Sequence, residues 1–145
     1  MKCMKVVDGD IAIGGDGKAV MVEGAERIRQ ELALWLLEPL GTDGVYPKFG
    51  SDLWNYVGTP AFEDNLTAIR SEVNRVVTNY IAAQNEQIAK DRQRLSDVDF
   101  LQVWTDDDIV STLNSITVSA TGTNVNVLVI ISTAASTQVA VEQSL

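Results

Sequence analysis

Gly17-Lys18, at the end of a glycine cluster, is the first spacing in this chain that could do chemistry. A phosphate-binding loop reads G-x-x-x-x-G-K-[ST]: backbone N–H groups cradle the phosphates and the hydroxyl holds magnesium. Ala12 stands where the first glycine belongs, and Ala19 where the hydroxyl belongs. A hairpin turn is the better reading. Asp8 and Asp10 open like a calcium loop, but Ala12 and Ile13 break the next ligand positions. Asp106-Asp107-Asp108 is consecutive, so its side chains diverge, and it reads as a solvated turn between strands. With no histidine and one cysteine, Cys3, Ser-His and Cys-His nucleophiles are excluded. Zinc would need an all-carboxylate site, an unusual arrangement. What remains is a carboxylate pair for glycan hydrolysis, one acid with a raised pKa and one ionised. Glu38, after Trp35-Leu36-Leu37, could be that acid, with Asp43 or Asp52 as its partner. Among 20 acidic residues such pairs arise freely, and a helix-end glutamate is more often solvated.

The richest stretch carries little chemistry of its own. Gly41-Thr42-Asp43-Gly44-Val45-Tyr46-Pro47-Lys48-Phe49-Gly50-Ser51-Asp52-Leu53 is dense in residues that fix a backbone path. Tyr46, Phe49, Trp54 and Tyr56 add aromatic anchors, which serve either the core or a protein interface. A loop so constrained has one shape on which something depends. Its content points to assembly rather than catalysis.

Composition supports that direction. A chain of 145 residues is read as one domain, 1–145, with a real core. Hydrophobic content of 46% and charged content of 21% are globular values. The net charge of -9 works against nonspecific binding to nucleic acid or anionic membranes, and neither is expected as a partner. No lysine or arginine follows Arg94. The acidic C-terminal third should therefore dock on a basic surface in a salt-sensitive way. No run approaches a membrane span or a signal peptide, and a lone thiol fits a reducing compartment. No cofactor is expected.

The elements that position these residues follow from periodicity. Residues 1–22 read as a hairpin arm around Gly14-Gly15-Asp16-Gly17. Glu23 to Pro39 reads as a helix, because Ile28, Leu32, Trp35 and Leu36 form one stripe. Thr59-Pro60 reads as a second helix start, with proline in the first helical position. Phe62, Leu66, Ile69, Val73, Val76, Tyr80 and Ile81 continue that helix. Residues 84–94 turn polar, so the helix should project past its core or end in a solvated loop. From Val98 the period changes to that of strands. Ile116, Val118 and Ala120 line one face, then Gly122-Thr123-Asn124 turns the chain. Val125, Val127, Val129 and Ile131 line the next strand, with Leu128 and Ile130 on its other face awaiting a helix or another chain. Residues 133–145 read as a loose strand or extended tail. The fold class is α+β: an N-terminal β-hairpin and two main helices packed on a small antiparallel sheet.

The order helix, constrained loop, Pro47-Lys48-Phe49-Gly50-Ser51-Asp52-Leu53 resembles the small baseplate wedge or sheath-initiator proteins of contractile phage tails, related to phage protein W. That family carries Pro-x-(Phe/Tyr)-Gly-(Ser/Thr)-x-Leu after such a helix, and Pro47, Phe49, Gly50, Ser51 and Leu53 match it in order. The family places Gly-Glu-Arg before the proline, where this chain has Gly44-Val45-Tyr46. It also carries Glu-Pro-Arg after the second helix. Here that region is Arg94-Leu95-Ser96-Asp97-Val98, with Arg92, Arg94 and Asp97 as possible replacements for the contact. Some members bear the label lysozyme, an activity these residues do not support.

The resemblance implies a structural component of the tail baseplate, assembled in the host cytoplasm and carried in the virion. Six copies would ring the tail tube and initiate the sheath by β-strand pairing with sheath and wedge neighbours. Open-edge pairing needs no special side chain, which suits this chain. Strands 114–121 and 124–132 are the expected acceptors. The 133–145 tail and the glycine-rich arm are the expected donors. Interface residues on this reading are Tyr46, Pro47, Phe49, Gly50, Ser51, Leu53 and Trp54, with Arg92, Arg94 and Asp97. The alternatives are a cell-wall glycan hydrolase, or a connector or terminator ring of a non-contractile tail.

Overall fold

The computed structural model describes residues 1–122 and 124–145; Thr123 of the expected turn lies outside them. The chain is α+β, as its periodicities require. Strands β1 (Lys2–Met4) and β4 (Met21–Glu23) pair antiparallel, and β2 (Val6–Val7) pairs with β3 (Asp10–Ile11). Asp8 and Gly9, both at positive φ, make the tight turn between β2 and β3. Asp8 is thus a turn residue, and the arm is a folded ribbon. It is tied to the body by Gln30, which accepts from Val6 N–H at 2.8 Å and donates to the Met4 carbonyl at 2.8 Å.

Helix α1 (Gly24–Leu37) buries the expected stripe, with Ile28, Leu32, Trp35 and Leu36 inside. Helix α2 spans Glu63–Arg94, about 48 Å at 1.5 Å per residue. It starts later than Thr59-Pro60 suggests. The Thr59 hydroxyl donates to the Tyr56 carbonyl instead of capping, and Pro60 accepts from Phe62 N–H and the Asn65 side chain. The helix does not run out into solvent after its apolar half either. Ile69, Val73, Val76, Tyr80, Gln84 and Asp91 share one buried face. The face turns polar because its partners there are polar groups, so hydrogen bonding replaces apolar contact.

A short helix α3 (Asp97–Val103) occupies a stretch that periodicity assigned to strands. Ser96 caps it, accepting from Asp99 N–H at 3.2 Å. The sheet follows: β5 (Val110–Thr121), β6 (Asn124–Thr133) and β7 (Gln138–Ser144), in the order β5-β6-β7, all antiparallel. The C-terminal segment is therefore a paired strand, not a loose tail, because Val139 and Val141 are fully buried beside Ile131 and Val129. Strand β6 is central and has no edge to offer, which removes it as an acceptor. Both long helices pack on the sheet face that carries Val118, Val127, Val129 and Ile131. The opposite face carries half-buried Leu128 and Ile130, paired with Thr117, Glu142, Ser115 and Ala140.

Candidate assembly interface

The constrained loop is closed at its base by a parallel bridge between Pro39 and Ser51. Ser51 N–H donates to the Glu38 carbonyl at 2.7 Å, and Leu40 N–H to the Ser51 carbonyl at 3.0 Å. The last carbonyls of a helix have no partner inside it. Here two side chains supply partners: the Ser51 hydroxyl donates to the Leu36 carbonyl at 2.6 Å, and the Trp54 indole N–H to the Leu37 carbonyl at 2.7 Å. Pro47 sits second in a turn closed by Phe49 N–H on the Tyr46 carbonyl at 2.8 Å, the position its fixed φ suits. Asp43 accepts from Tyr46 and Val45 N–H, at 3.0 and 2.7 Å, and these bonds lower its pKa.

Helix α2 clamps the other side. Glu72 accepts from Asp52 N–H at 2.7 Å and from Arg75 at 2.8 Å, and Arg75 donates to the Gly50 carbonyl at 3.2 Å. The bond from Arg75 is the main reason the Glu72 pKa falls, against a smaller opposing effect of burial. No motif in the sequence marked Glu72 or Arg75; their only signal is an i,i+3 opposite-charge pair, common on solvated helices.

The aromatic set divides between core and surface. Phe49 packs edge-on against Trp35 at 5.0 Å between centroids, Trp35 likewise against Tyr80 at 5.8 Å, and Leu53 is fully buried. Tyr46 and Trp54 remain 48% and 57% exposed. Among the expected interface residues, then, Phe49, Gly50, Ser51 and Leu53 build the loop, and Tyr46 and Trp54 face outward. Glu38 and Asp52, two of the candidate acids, are exposed; the Glu38 carbonyl serves the bridge and the Asp52 N–H serves the Glu72 clamp.

Arg92, Arg94 and Asp97 lie at the α2–α3 junction, bonded away from the loop. Arg94 reaches Asp91 at 3.1 Å, the Arg92 guanidinium lies 5.0 Å over the Phe100 ring, and Asp97 is exposed. The organising group there is Asp91, buried, which accepts from the Trp104 indole N–H at 3.0 Å and from Gln87 at 3.2 Å. The Trp104 bond is the leading cause of its lowered pKa.

Asp108 is the second buried organiser, and not part of a solvated turn. Its carboxylate accepts from the Met1 amine at 2.8 Å, Gly24 N–H at 2.8 Å and the Thr105 hydroxyl at 2.7 Å. Burial opposes its ionisation, yet these donors together hold its pKa down to about 2. The bond to Gly24 caps α1 from across the chain, since Glu23 makes no side-chain cap. Arg27, buried between Asp108 and Glu31, donates to the Asp108 carbonyl at 2.8 Å and to Glu31 at 2.7 Å. Burial works against its charge, but Glu31, Tyr80 and Asp108 together outweigh it and raise its pKa. Gln84 donates to the same carbonyl at 3.0 Å and accepts from Val110 N–H at 2.8 Å, fixing the start of β5. Among the described residues, no His, Cys, Asp and Glu cluster has metal-binding geometry.

No family model and no curated protein matches this sequence. One solved structure shares its fold, a crystal structure described as a "putative tail lysozyme" from Geobacter sulfurreducens. It aligns with 88% of this chain and 95% of its own, at a TM-score of 0.54 and 16% identity.

Proposed function

We propose that this chain is a non-enzymatic structural component of a contractile phage tail baseplate. It rings the tail tube and starts the sheath by accepting a strand from a neighbouring subunit. The observation that carries this reading is the edge of β5. From Ser115 to Thr121 its register against β6 runs without a shift, and no charged residue or proline lies anywhere in Val110–Thr121. Sheet edges exposed in a monomer are ordinarily blunted by charge, proline or bulges. The opposite edge is treated in that way: Glu142 lies in β7, and Arg29 donates from α1 to the Ala140 carbonyl at 3.1 Å. The β5 edge is itself bulged between Val110 and Thr112 and between Leu113 and Ser115, so the stretch left regular and neutral for an acceptor is Ser115–Thr121.

The shared fold supports a tail-associated role through the description of the neighbouring structure. The bridge-closed loop, with Tyr46 and Trp54 outward, supplies a second contact surface for wedge partners. A cryo-electron microscopy reconstruction of the intact particle tests the reading. Density for this chain around the tube, with a foreign strand on β5, is the expected result. Absence of the chain from the particle would sink it and bring the glycan hydrolase forward.

A further inference from the structure

A cavity of about 290 Å³ opens between α1, α2 and the constrained loop. Five aromatic side chains line it: Trp35, Tyr46, Phe49, Tyr80 and Trp104. The volume is at the low end for ligand pockets, room for one long side chain.

Charge identifies the occupant. Two cations stand at this site, the Met1 amine and Arg27, and two anions answer them, Glu31 and Asp108. Both Glu31 oxygens are engaged by Arg27, and one also accepts from the Tyr80 hydroxyl at 2.9 Å. Asp43, also in the lining, is left over. Its Oδ1 takes two backbone N–H groups, and among the described residues Oδ2 has no hydrogen-bond partner and no ion pair reaches the carboxylate. Aromatic faces attract a cation, and a planar guanidinium stacks on them with less desolvation than an ammonium. The protein already shows the pairing, with Arg27 5.4 Å from the centroid of the Trp104 ring.

We propose that this cavity receives one arginine side chain of a partner protein, its guanidinium among the aromatic rings and paired with Asp43. The proposal rests on the assembly reading only for which protein supplies the arginine. It also gives the exposed Tyr46 a task, as one wall of the socket.

The three tryptophans make the test internal, because Trp35 and Trp104 line the cavity and Trp54 lies outside it. N-acetyl-arginine methylamide is titrated into the full chain while the indole N–H resonances are followed. Saturable shifts of Trp35 and Trp104, with Trp54 unmoved, are expected. Asp43→Asn keeps an oxygen for the two backbone donors and should weaken binding about tenfold. Tyr46→Ala should weaken it as well. The neutral citrulline analogue should not saturate. Non-saturating shifts, equal binding of citrulline, or unchanged affinity in Asp43→Asn would each overturn the socket. Loss of the socket in a protein still found on the tube would leave the assembly reading standing. Arginine binding by a protein absent from the particle would do the reverse.

Discussion

A β-carbon on Gly50 would lie 2.6 Å from the Glu38 carbonyl oxygen, closer than any real side chain tolerates. The same oxygen accepts from Ser51 N–H, so the two strands of the loop base cannot separate without losing the bridge. Gly50 also holds φ at +95°, a conformation that other residues resist.

Gly50→Ala should therefore cost about 3 kcal/mol or more, from overpacking and backbone strain together. Gly58 is the control. It too has positive φ, at +76°, but nothing lies within 4 Å of its missing β-carbon. Gly58→Ala should cost only about 1–2 kcal/mol. Urea unfolding of both variants measures the gap, and equal losses would remove the close approach as its cause.

Removal of 133–145 should abolish the fold rather than trim a tail. The truncation strips β7 from β6 and uncovers Val127, Val129 and Ile131. A milder variant, Val139→Ala with Val141→Ala, should lose roughly 4 kcal/mol at about 2 per valine, near the low end for large-to-small core changes. Circular dichroism of the truncation and urea midpoints of the double variant provide the readings. A cooperatively folded truncation would contradict the buried role of β7.

Acid should act through Asp108. Its folded-state pKa is about 2, below the value near 4 of an unfolded aspartate. A lowered pKa stabilises the fold in full above about pH 4, and that contribution is lost as pH falls through 2. The urea midpoint should decline across that window. Asp108→Asn should already be about 3 kcal/mol less stable at pH 7, with a flatter acid limb. An acid limb parallel to that of the parent protein would assign the decline to other carboxylates.

Charge placed on the open edge should separate folding from assembly. Thr117→Lys with Ser119→Lys alters exposed positions in β5, so stability should shift by less than about 0.5 kcal/mol for each change. Lysine on an edge disfavours added strands. Co-purification with the sheath subunit should be lost while the melting curve stays put. Retained co-purification would move the contact off β5.

The local elements were legible because each rests on short-range pattern. The stripe Ile28, Leu32, Trp35 and Leu36 announces α1, and alternating valines announce β6, since both periods follow from backbone geometry. The shape-giving part of the loop was legible too, because Pro47 fixes φ by itself and Gly50 admits the positive φ that other residues resist. What the sequence alone could not decide were the identities of long-range partners. Gln84 and Asp91 look like a solvated helix face until Val110 and Trp104 arrive against them. Asp108 looks like one of three surface acids until the Met1 amine and Gly24 N–H, far away in sequence, converge on it. The 133–145 segment looks loose because its alternation is weak, yet pairing with β6 buries Val139 and Val141. Likewise, that β5 is an edge strand, and that Arg29 reaches the other edge at β7, depends on strand order and packing. Periodicity encodes which face of an element is apolar; only the packed chain decides which polar groups are buried with a partner and which edge stays open.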